Sequence, residues 1–132
     1  MQIRLGIVGF GFMGHCDAEM MATFPDKQIR LVAVADTNPK QLEDAPKGVE
    51  TYSCIEDMLK KADINVVMIS TPNPSHLEMV EKCAAAKKDI ICEKPAAMTV
   101  AQFDKMVEVT KKAGVLFTIH QQRRWDKDYR IM

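Results

Sequence analysis

Three glycines directly follow the first apolar segment of the chain. Residues 3–8 are almost continuously apolar, and the next six residues satisfy the pattern G-x-G-x-x-G. A short apolar run that ends in glycines is typical of a strand buried on both faces, with a helix starting inside the motif. There the first glycine permits a tight turn, the second lets the backbone approach a pyrophosphate, and the third allows close helix–strand packing. The pattern predicts a dinucleotide-binding turn formed by Gly9, Phe10, Gly11, Phe12, Met13 and Gly14.

Apolar runs and helical segments alternate along the rest of the sequence. Further apolar runs lie at 29–35, 64–69, 89–92 and 115–119, with a short one at 51–52. The segments between them have apolar residues at helical spacing, most clearly at 13–24, 77–84 and 103–107. This order predicts an α/β fold of the Rossmann type, a doubly wound parallel sheet of about six strands with helices on both faces, in three layers.

Helix boundaries are marked by capping residues. Asn38 and Asn73 each precede a proline, which predicts an N-cap followed by proline at the first helical position. Ser53 and Thr99 are each followed three residues later by Glu or Gln, the spacing of a capping box. Gly114 is predicted to end the last long helix, because glycine adopts a left-handed conformation at little cost.

The length and composition favour one soluble domain. The chain has 132 residues, of which 47% are hydrophobic and 27% charged, and its formal net charge is zero. An electroneutral chain has no broad basic surface for nucleic acid or an anionic membrane, so neither partner is expected. The four cysteines are scattered without a CxxC pair and the three histidines lie far apart, which predicts neither a disulfide scaffold nor a metal site. No window approaches the roughly 18 apolar residues of a membrane span, and a reduced cytoplasmic protein is the expectation.

An acidic residue ends the second predicted strand. Asp36 lies 22 residues after Gly14, where a carboxylate can accept hydrogen bonds from an adenosine ribose. An isolated aspartate at a strand end is more often a turn residue, but together with the glycine motif it favours dinucleotide binding. A carboxylate there repels a 2′-phosphate, so NAD is favoured over NADP. NADP stays possible because Lys40 lies close in sequence and can partly offset that repulsion.

Three later segments resemble one enzyme family. Residues 70–76 read Ser-Thr-Pro-Asn-Pro-Ser-His, residues 92–95 read Cys-Glu-Lys-Pro, and residues 120–125 read His-Gln-Gln-Arg-Arg-Trp. Each follows a predicted strand, which is where ligands bind in an open α/β sheet. With the glycine motif and Asp36, they resemble the Gfo/Idh/MocA family of dehydrogenases over essentially the whole chain, and Glu-Lys-Pro is the most distinctive signature.

The resemblance implies roles for individual residues. Thr71, Pro72 and Asn73 match a loop beside the pyrophosphate and the nicotinamide ribose, and His76 matches the histidine that begins the following helix. Glu93 matches an acid that contacts the nicotinamide ribose, and Lys94 a lysine beside the nicotinamide and the substrate hydroxyl. Pro95 matches a proline, often cis, that directs the lysine into the cleft. The basic pair near the nicotinamide end corresponds to Arg123 and Arg124.

Lys94 is also a candidate catalytic residue on chemical grounds. Oxidation of an alcohol removes the hydroxyl proton while a hydride passes to nicotinamide. A lysine that is partly desolvated beside the cationic ring can orient or deprotonate that hydroxyl. A surface lysine paired with Glu93 is the alternative, and the position before a proline at a strand end favours the site. Cys92 is expected to be an inert strand residue, because no base is evident beside it.

The resemblance also implies what lies outside this chain. Residues 1–120 are expected to form the dinucleotide-binding domain, and residues 121–132 to begin the connection to a C-terminal substrate domain. That domain would supply most of the pocket for a sugar or polyol-like substrate and the interface of a homo-oligomer. The chain is therefore expected to bind NAD or NADP without completing the reaction of the whole dehydrogenase. A nucleotide-binding or regulatory module without chemistry is the alternative, since Rossmann folds serve many functions.

Overall fold

A computed structural model describes residues 2–23 and 28–131. Its six strands are β1 (Ile3–Val8), β2 (Ile29–Ala35), β3 (Glu50–Tyr52), β4 (Val66–Ile69), β5 (Asp89–Glu93) and β6 (Phe117–His120). Its α-helices are α1 (Phe12–Thr23), α2 (Pro39–Leu42), α3 (Ile55–Lys61), α4 (His76–Ala85), α5 (Val100–Ala113) and α6 (Lys127–Ile131). Two 3-10 turns, Asn73–Ser75 and Gln122–Trp125, precede α4 and α6. Phe24, where the predicted first helix ends, lies outside the described residues.

The strands form one parallel sheet in the order β3-β2-β1-β4-β5-β6. One face is covered by α3, α4 and α5, which bury Met58, Val80 and Met106 against it. The opposite face packs against α1 and α2 through residues such as Ala18 and Leu42. The predicted three-layer Rossmann architecture is confirmed. Because the strand order reverses at β1, the carboxyl ends of β1 and β4 border the crevice where this fold binds ligands.

Two strands start later than the sequence predicted. β4 begins at Val66 instead of residue 64, because the amide of Ile64 donates to the carbonyl of Ala62 and not to a neighbouring strand. β6 begins at Phe117 instead of residue 115, because the amide of Val115 donates to the carbonyl of Thr110 at the end of α5. In both places the apolar residues pack in the core while their backbone completes a helix-to-strand connection.

Three of the predicted helix boundaries are confirmed. The side chain of Asn38 accepts a hydrogen bond from the amide of Lys40, 3.1 Å away, and that of Thr99 accepts one from Gln102 at 3.2 Å. Gly114 ends α5 in a left-handed conformation with φ of 71°. The Thr99 capping box is incomplete, since the side chain of Gln102 accepts from the amide of Met98 and not from that of Thr99.

Two predicted caps are wrong. α3 begins at Ile55 after an extended Cys54, so the hydroxyl of Ser53 stands one residue too early to cap it. Asn73 makes no cap hydrogen bond, because it is the first residue of a 3-10 turn that follows Pro72. None of the helices formed by the described residues combines the length and apolar character that crossing a membrane requires.

Candidate functional site

A pocket of about 730 Å³ opens at the carboxyl ends of β1, β2 and β4. The loops are held together there by backbone bonds: the amide of Gly9 donates to the carbonyl of Ala35, and that of Ser70 to the carbonyl of Val8. Seven of the residues predicted to bind a cofactor line this pocket: Gly9, Gly11, Phe12, Met13, Asp36, Thr71 and Pro72. Its position is the ligand-binding crevice of an open α/β sheet.

The three glycines of the turn differ in the space around them. Gly9 has φ of +85°, and a Cβ added to it would lie 2.5 Å from the amide nitrogen of Thr71. A Cβ on Gly14 would lie 2.4 Å from the carbonyl oxygen of Gly9, so α1 packs directly on the turn. A Cβ on Gly11 would meet no atom within 4 Å. Gly9 and Gly14 are therefore required by the fold itself, whereas Gly11 leaves space over the pocket.

Phe10 and Phe12 point in opposite directions from this turn. The Phe10 side chain is 1% exposed and packs on the ring of His15, with the ring centroids 4.1 Å apart. The side chain therefore belongs to the core, and the predicted cofactor contact of Phe10 stays a prediction for its backbone, which is part of the turn. The Phe12 side chain is 82% exposed at the pocket.

Asp36 connects the glycine turn to the loop after β2. Its Oδ2 atom accepts a hydrogen bond from the amide of Phe10, and its Oδ1 atom accepts one from the amide of Asn38, both at 2.7 Å. Bonds to an ionised acceptor are about twice as strong as neutral ones, so the carboxylate is fixed at the pocket. Each oxygen keeps a free lone pair that can accept from a ribose hydroxyl. The sequence predicted that Asp36 binds a ribose, but not that it connects the glycine turn to the loop after β2.

His76 does not line the pocket. It is fully buried, with Nε2 at 2.8 Å from the carbonyl oxygen of Thr71 and Nδ1 at 3.1 Å from that of Ala96. It begins α4 with the ring turned inward beneath the loop, so its predicted role in cofactor binding stays a prediction in which His76 acts through the loop at Thr71. The ring lies between the loop after β4 and the turn after β5, and in its neutral form it donates to one of these two carbonyls. Asn73, in the 3-10 turn before it, is also outside the pocket lining.

A base does lie beside Cys92, contrary to expectation. The Sγ atom of Cys92 is 3.4 Å from Nδ1 of His76. Burial, with a smaller contribution from the charge of Glu93, raises the pKa of this thiol to about 12. The thiol therefore stays protonated, and it can donate to Nδ1 in the tautomer whose Nε2–H donates to the carbonyl of Thr71. Cys92 is fully buried and its thiol stays protonated, so it is unreactive as expected. The reason is this burial and not the absence of a neighbouring base.

The Lys94–Pro95 turn lies beyond the edge of the pocket. The peptide bond between Lys94 and Pro95 is cis, and both side chains are exposed. The amide of Lys94 donates to Oε2 of Glu93 at 3.2 Å. The partial desolvation that we expected for the Lys94 side chain is thus not provided by the described residues. Any enclosure of this amine has to come from a ligand or from another part of the protein.

Glu93 is turned away from the pocket. Its side chain is buried, and its Oε1 atom accepts a hydrogen bond from Nδ1 of His120 at 2.5 Å. The two residues are direct partners in the pairing of β5 with β6. The carboxylate faces the partner strand β6, and the predicted contact of Glu93 with a nicotinamide ribose stays a prediction.

A third titratable residue, Asp17, which lies in the predicted helical segment 13–24, joins this pair. The ligand atoms of Asp17, Glu93 and His120 all lie within 4.8 Å of one another, and we call this group the Asp17 cluster. Burial, with a smaller contribution from the charge of Glu93, raises the pKa of Asp17 to about 6, and this value includes the opposing effect of His120. An acidic residue within the apolar stripe of α1 was the signal that could have revealed it.

The composition of the Asp17 cluster would also suit a metal ion. Two ligands of one tetrahedral zinc ion are about 3.4 Å apart, given bond lengths near 2.1 Å. The 2.5 Å separation of His120 and Glu93 is instead that of a hydrogen bond. The sequence analysis, which rested on the spacing of histidines and cysteines, could not anticipate this grouping.

Arg123 and Arg124 lie in the second 3-10 turn and are exposed. Arg123 pairs with Asp126 at 3.1 Å, across one turn of the chain. Neither arginine lines the pocket, so the described structure does not bring them to the other predicted cofactor-binding residues.

Comparison with known proteins identifies related chains. The model of an oxidoreductase family with an NAD-binding Rossmann fold matches residues 3–121. The myo-inositol 2-dehydrogenase of Thermotoga maritima is 31% identical over 131 residues, which are 97% of this chain and 39% of that protein. The rhizopine catabolism protein MocA of Rhizobium meliloti is 32% identical over 94% of this chain and 39% of its own length.

Solved structures agree with the sequence relatives. A scyllo-inositol dehydrogenase from Lactobacillus casei, with bound NAD(H) and scyllo-inositol, superposes with a TM-score of 0.89 at 31% identity, over 99% of this chain and 39% of that one. The WlbA dehydrogenase from Bordetella pertussis, in complex with NADH and UDP-GlcNAcA, has a TM-score of 0.92 at 28% identity. The match covers 99% of this chain and 40% of that one. The chain spans about two fifths of the length of the relatives it matches.

Proposed function

Because the chain belongs to the Gfo/Idh/MocA oxidoreductase family, we propose that it is the cofactor-binding domain of an NAD-dependent dehydrogenase. The substrate would be a sugar, a polyol or a related hydroxyl compound, in line with the inositol dehydrogenases among the relatives. The proposal includes a C-terminal substrate domain connected through residues 121–132, a homo-oligomeric whole protein and a cytoplasmic location. NADP remains a possible second cofactor.

One observation carries the proposal for NAD. The glycine turn, Asp36 and Thr71 surround a single pocket at the switch point of the sheet. The open space over Gly11 suits a pyrophosphate, since no side chain obstructs the backbone there. The fixed carboxylate of Asp36 suits the hydroxyls of an adenosine ribose, and it repels a 2′-phosphate. The residues present therefore fit a dinucleotide.

Lys94 would act at the other end of the same ligand. NAD supplies the hydride acceptor when an alcohol carbon is oxidised, and the hydroxyl proton leaves to a base. Lys94 is exposed at the carboxyl end of β5, where its side chain can orient the hydroxyl. Enclosure by the cofactor and by another part of the protein would let it receive that proton as well. His76 and Glu93 act indirectly in this proposal, by fixing the loop at Thr71 and the amide of Lys94.

Binding of NAD to the 132-residue chain tests the proposal directly. Titration calorimetry should detect binding to the unaltered chain, and Gly11→Ala should weaken the affinity about 10–100-fold, because a methyl group would stand between backbone and pyrophosphate. The free energy of unfolding should stay within about 0.5 kcal/mol, since a Cβ there meets no atom within 4 Å. Equal affinities for both chains would contradict the assignment of the pyrophosphate site.

Asp36→Ser tests the preference between the two cofactors. Loss of the carboxylate should weaken NAD binding about 10–100-fold, because a charge-assisted hydrogen bond contributes about 1.5–3 kcal/mol. NADP binding should improve, because the repulsion of its 2′-phosphate is removed. Asp36→Asn is the matched control, since it removes the charge but keeps an acceptor for the amide of Phe10. Unchanged affinities for both cofactors would rule out Asp36 as the ribose-binding residue.

A further inference from the structure

The Asp17 cluster is not used by the proposed cofactor pocket. Its members come from three elements, with Asp17 on α1, Glu93 at the end of β5 and His120 at the end of β6. Two of them are carboxylic acids with very little exposure, 3% for Asp17 and 5% for Glu93. Two buried carboxylates close together are unfavourable when both are ionised, so a proton or a cation has to compensate one of the charges.

His120 is bonded to Glu93 and not to Asp17, which leaves a proton as the compensating group for Asp17. The Oδ2 atom of Asp17 is buried and has no hydrogen-bond partner among the described residues. Asp17 and His120 line a pocket of about 240 Å³. The remaining residues of its lining are apolar: Met20, Met21, Ile29, Met68 and Ile91. No lysine or arginine lines this pocket in the part of the chain that the structure describes.

Glu93 connects this cluster to the Lys94–Pro95 turn. Its Oε1 atom accepts from His120, and its Oε2 atom accepts from the amide of Lys94. We propose that Asp17 is a positioning residue for this turn, its protonated carboxyl group donating a hydrogen bond to Glu93 while Glu93 holds the amide of Lys94. The functional meaning of the inference rests on the proposed role of Lys94, whereas the approach of Asp17 and Glu93 to within 4.8 Å does not.

The proposal predicts a dependence on pH. The charged or titratable groups that face Asp17 are Glu93 from β5 and His120 from β6, while β2 and β4 present only Ile29 and Met68. Below about pH 6 Asp17 is protonated and donates to Glu93. As the pH rises through that value Asp17 loses its proton, and two carboxylates then oppose each other. The pKa of Asp17 in the folded chain is raised above its ordinary value. The stabilising hydrogen bond from Asp17 to Glu93 is therefore fully present at low pH and is lost as the pH rises.

Nuclear magnetic resonance of the 132-residue chain without cofactor tests the inference. Between pH 5 and pH 8 the amide resonance of Lys94 should shift with a midpoint near pH 6. In Asp17→Asn the shift should be lost, because the carboxamide donates to Glu93 at every pH. Asp104→Asn, an exposed aspartate on α5, should keep the titration of the unaltered chain. If Asp17→Asn does not fold, the carboxyl carbon of Asp17 in the unaltered chain should titrate with the same midpoint as the Lys94 amide.

Three results would overturn the inference. A Lys94 amide that does not titrate would show that the cluster does not act on the turn. A titration that persists in Asp17→Asn would assign the effect to His120. Zinc chloride that raises the melting temperature of the unaltered chain, but not that of Asp17→Asn, would make the cluster a metal site instead. Because no cofactor is present, failure of NAD binding and failure of this inference are separate outcomes.

Discussion

Gly9→Ala should destabilise the chain by about 3–5 kcal/mol, a large part of the 5–15 kcal/mol typical of a domain. Two effects combine at this position. The backbone φ of +85° is strained for any residue with a side chain, and the added Cβ would lie 2.5–2.7 Å from the backbone of Ser70 and Thr71. These atoms belong to the loop after β4, which is fixed by the bond from the amide of Ser70 to Val8, so they cannot move aside cheaply. Urea denaturation, followed by circular dichroism, measures the change.

Gly48→Ala is the matched control for this prediction. Gly48 has nearly the same backbone conformation, with φ of +87°, but a Cβ there would meet no atom within 4 Å. We expect it to destabilise the chain by only about 1–2 kcal/mol, the cost of the conformation alone. Equal losses in the two variants would mean that the close approach between the glycine turn and the loop after β4 contributes nothing to stability.

The parts of the site that the sequence predicted are those encoded within one short segment. The glycine turn follows a strand and opens a helix, and each of these features lies within residues 3–14. The position of Asp36 required only that the second strand end there and lie beside the first. The cap of α5 at Thr99 and its end at Gly114 are equally local. Local chemistry is sufficient for such features because the interacting groups are close in sequence.

The side-chain surroundings that the sequence did not predict depend instead on contacts between distant segments. Glu93 faces His120 only because of the register between β5 and β6, and it faces Asp17 only because α1 packs near both strands. Apolar periodicity predicts that strands exist, but a shift of one residue in register would turn each side chain to the other face. His76 was assigned to the pocket for a similar reason: its place at the start of α4 was predicted, but not the inward direction of its ring.

Lys94→Ala should lower the turnover of the proposed whole dehydrogenase about 10²–10⁴-fold, the usual contribution of a general acid–base residue. The affinity for NAD should change little, since Lys94 does not line the pocket formed by the glycine turn and Asp36. Formation of NADH with a panel of sugars and polyols measures the rate, and calorimetry measures binding. Lys112→Ala removes an exposed lysine from α5 and should leave both quantities unchanged.

Lys94→Arg separates the two things that Lys94 can do. The guanidinium group keeps the positive charge and can still orient a hydroxyl, but it does not lose a proton in proteins and cannot act as a base. Activity as low as that of Lys94→Ala would therefore assign proton removal to Lys94, whereas substantial recovery would assign orientation. Full activity in Lys94→Ala would exclude both roles. Binding of NAD without NADH formation from any of these substrates by the unaltered protein would favour a nucleotide-binding module, because only a catalytic role requires an amine at the nicotinamide end of the site.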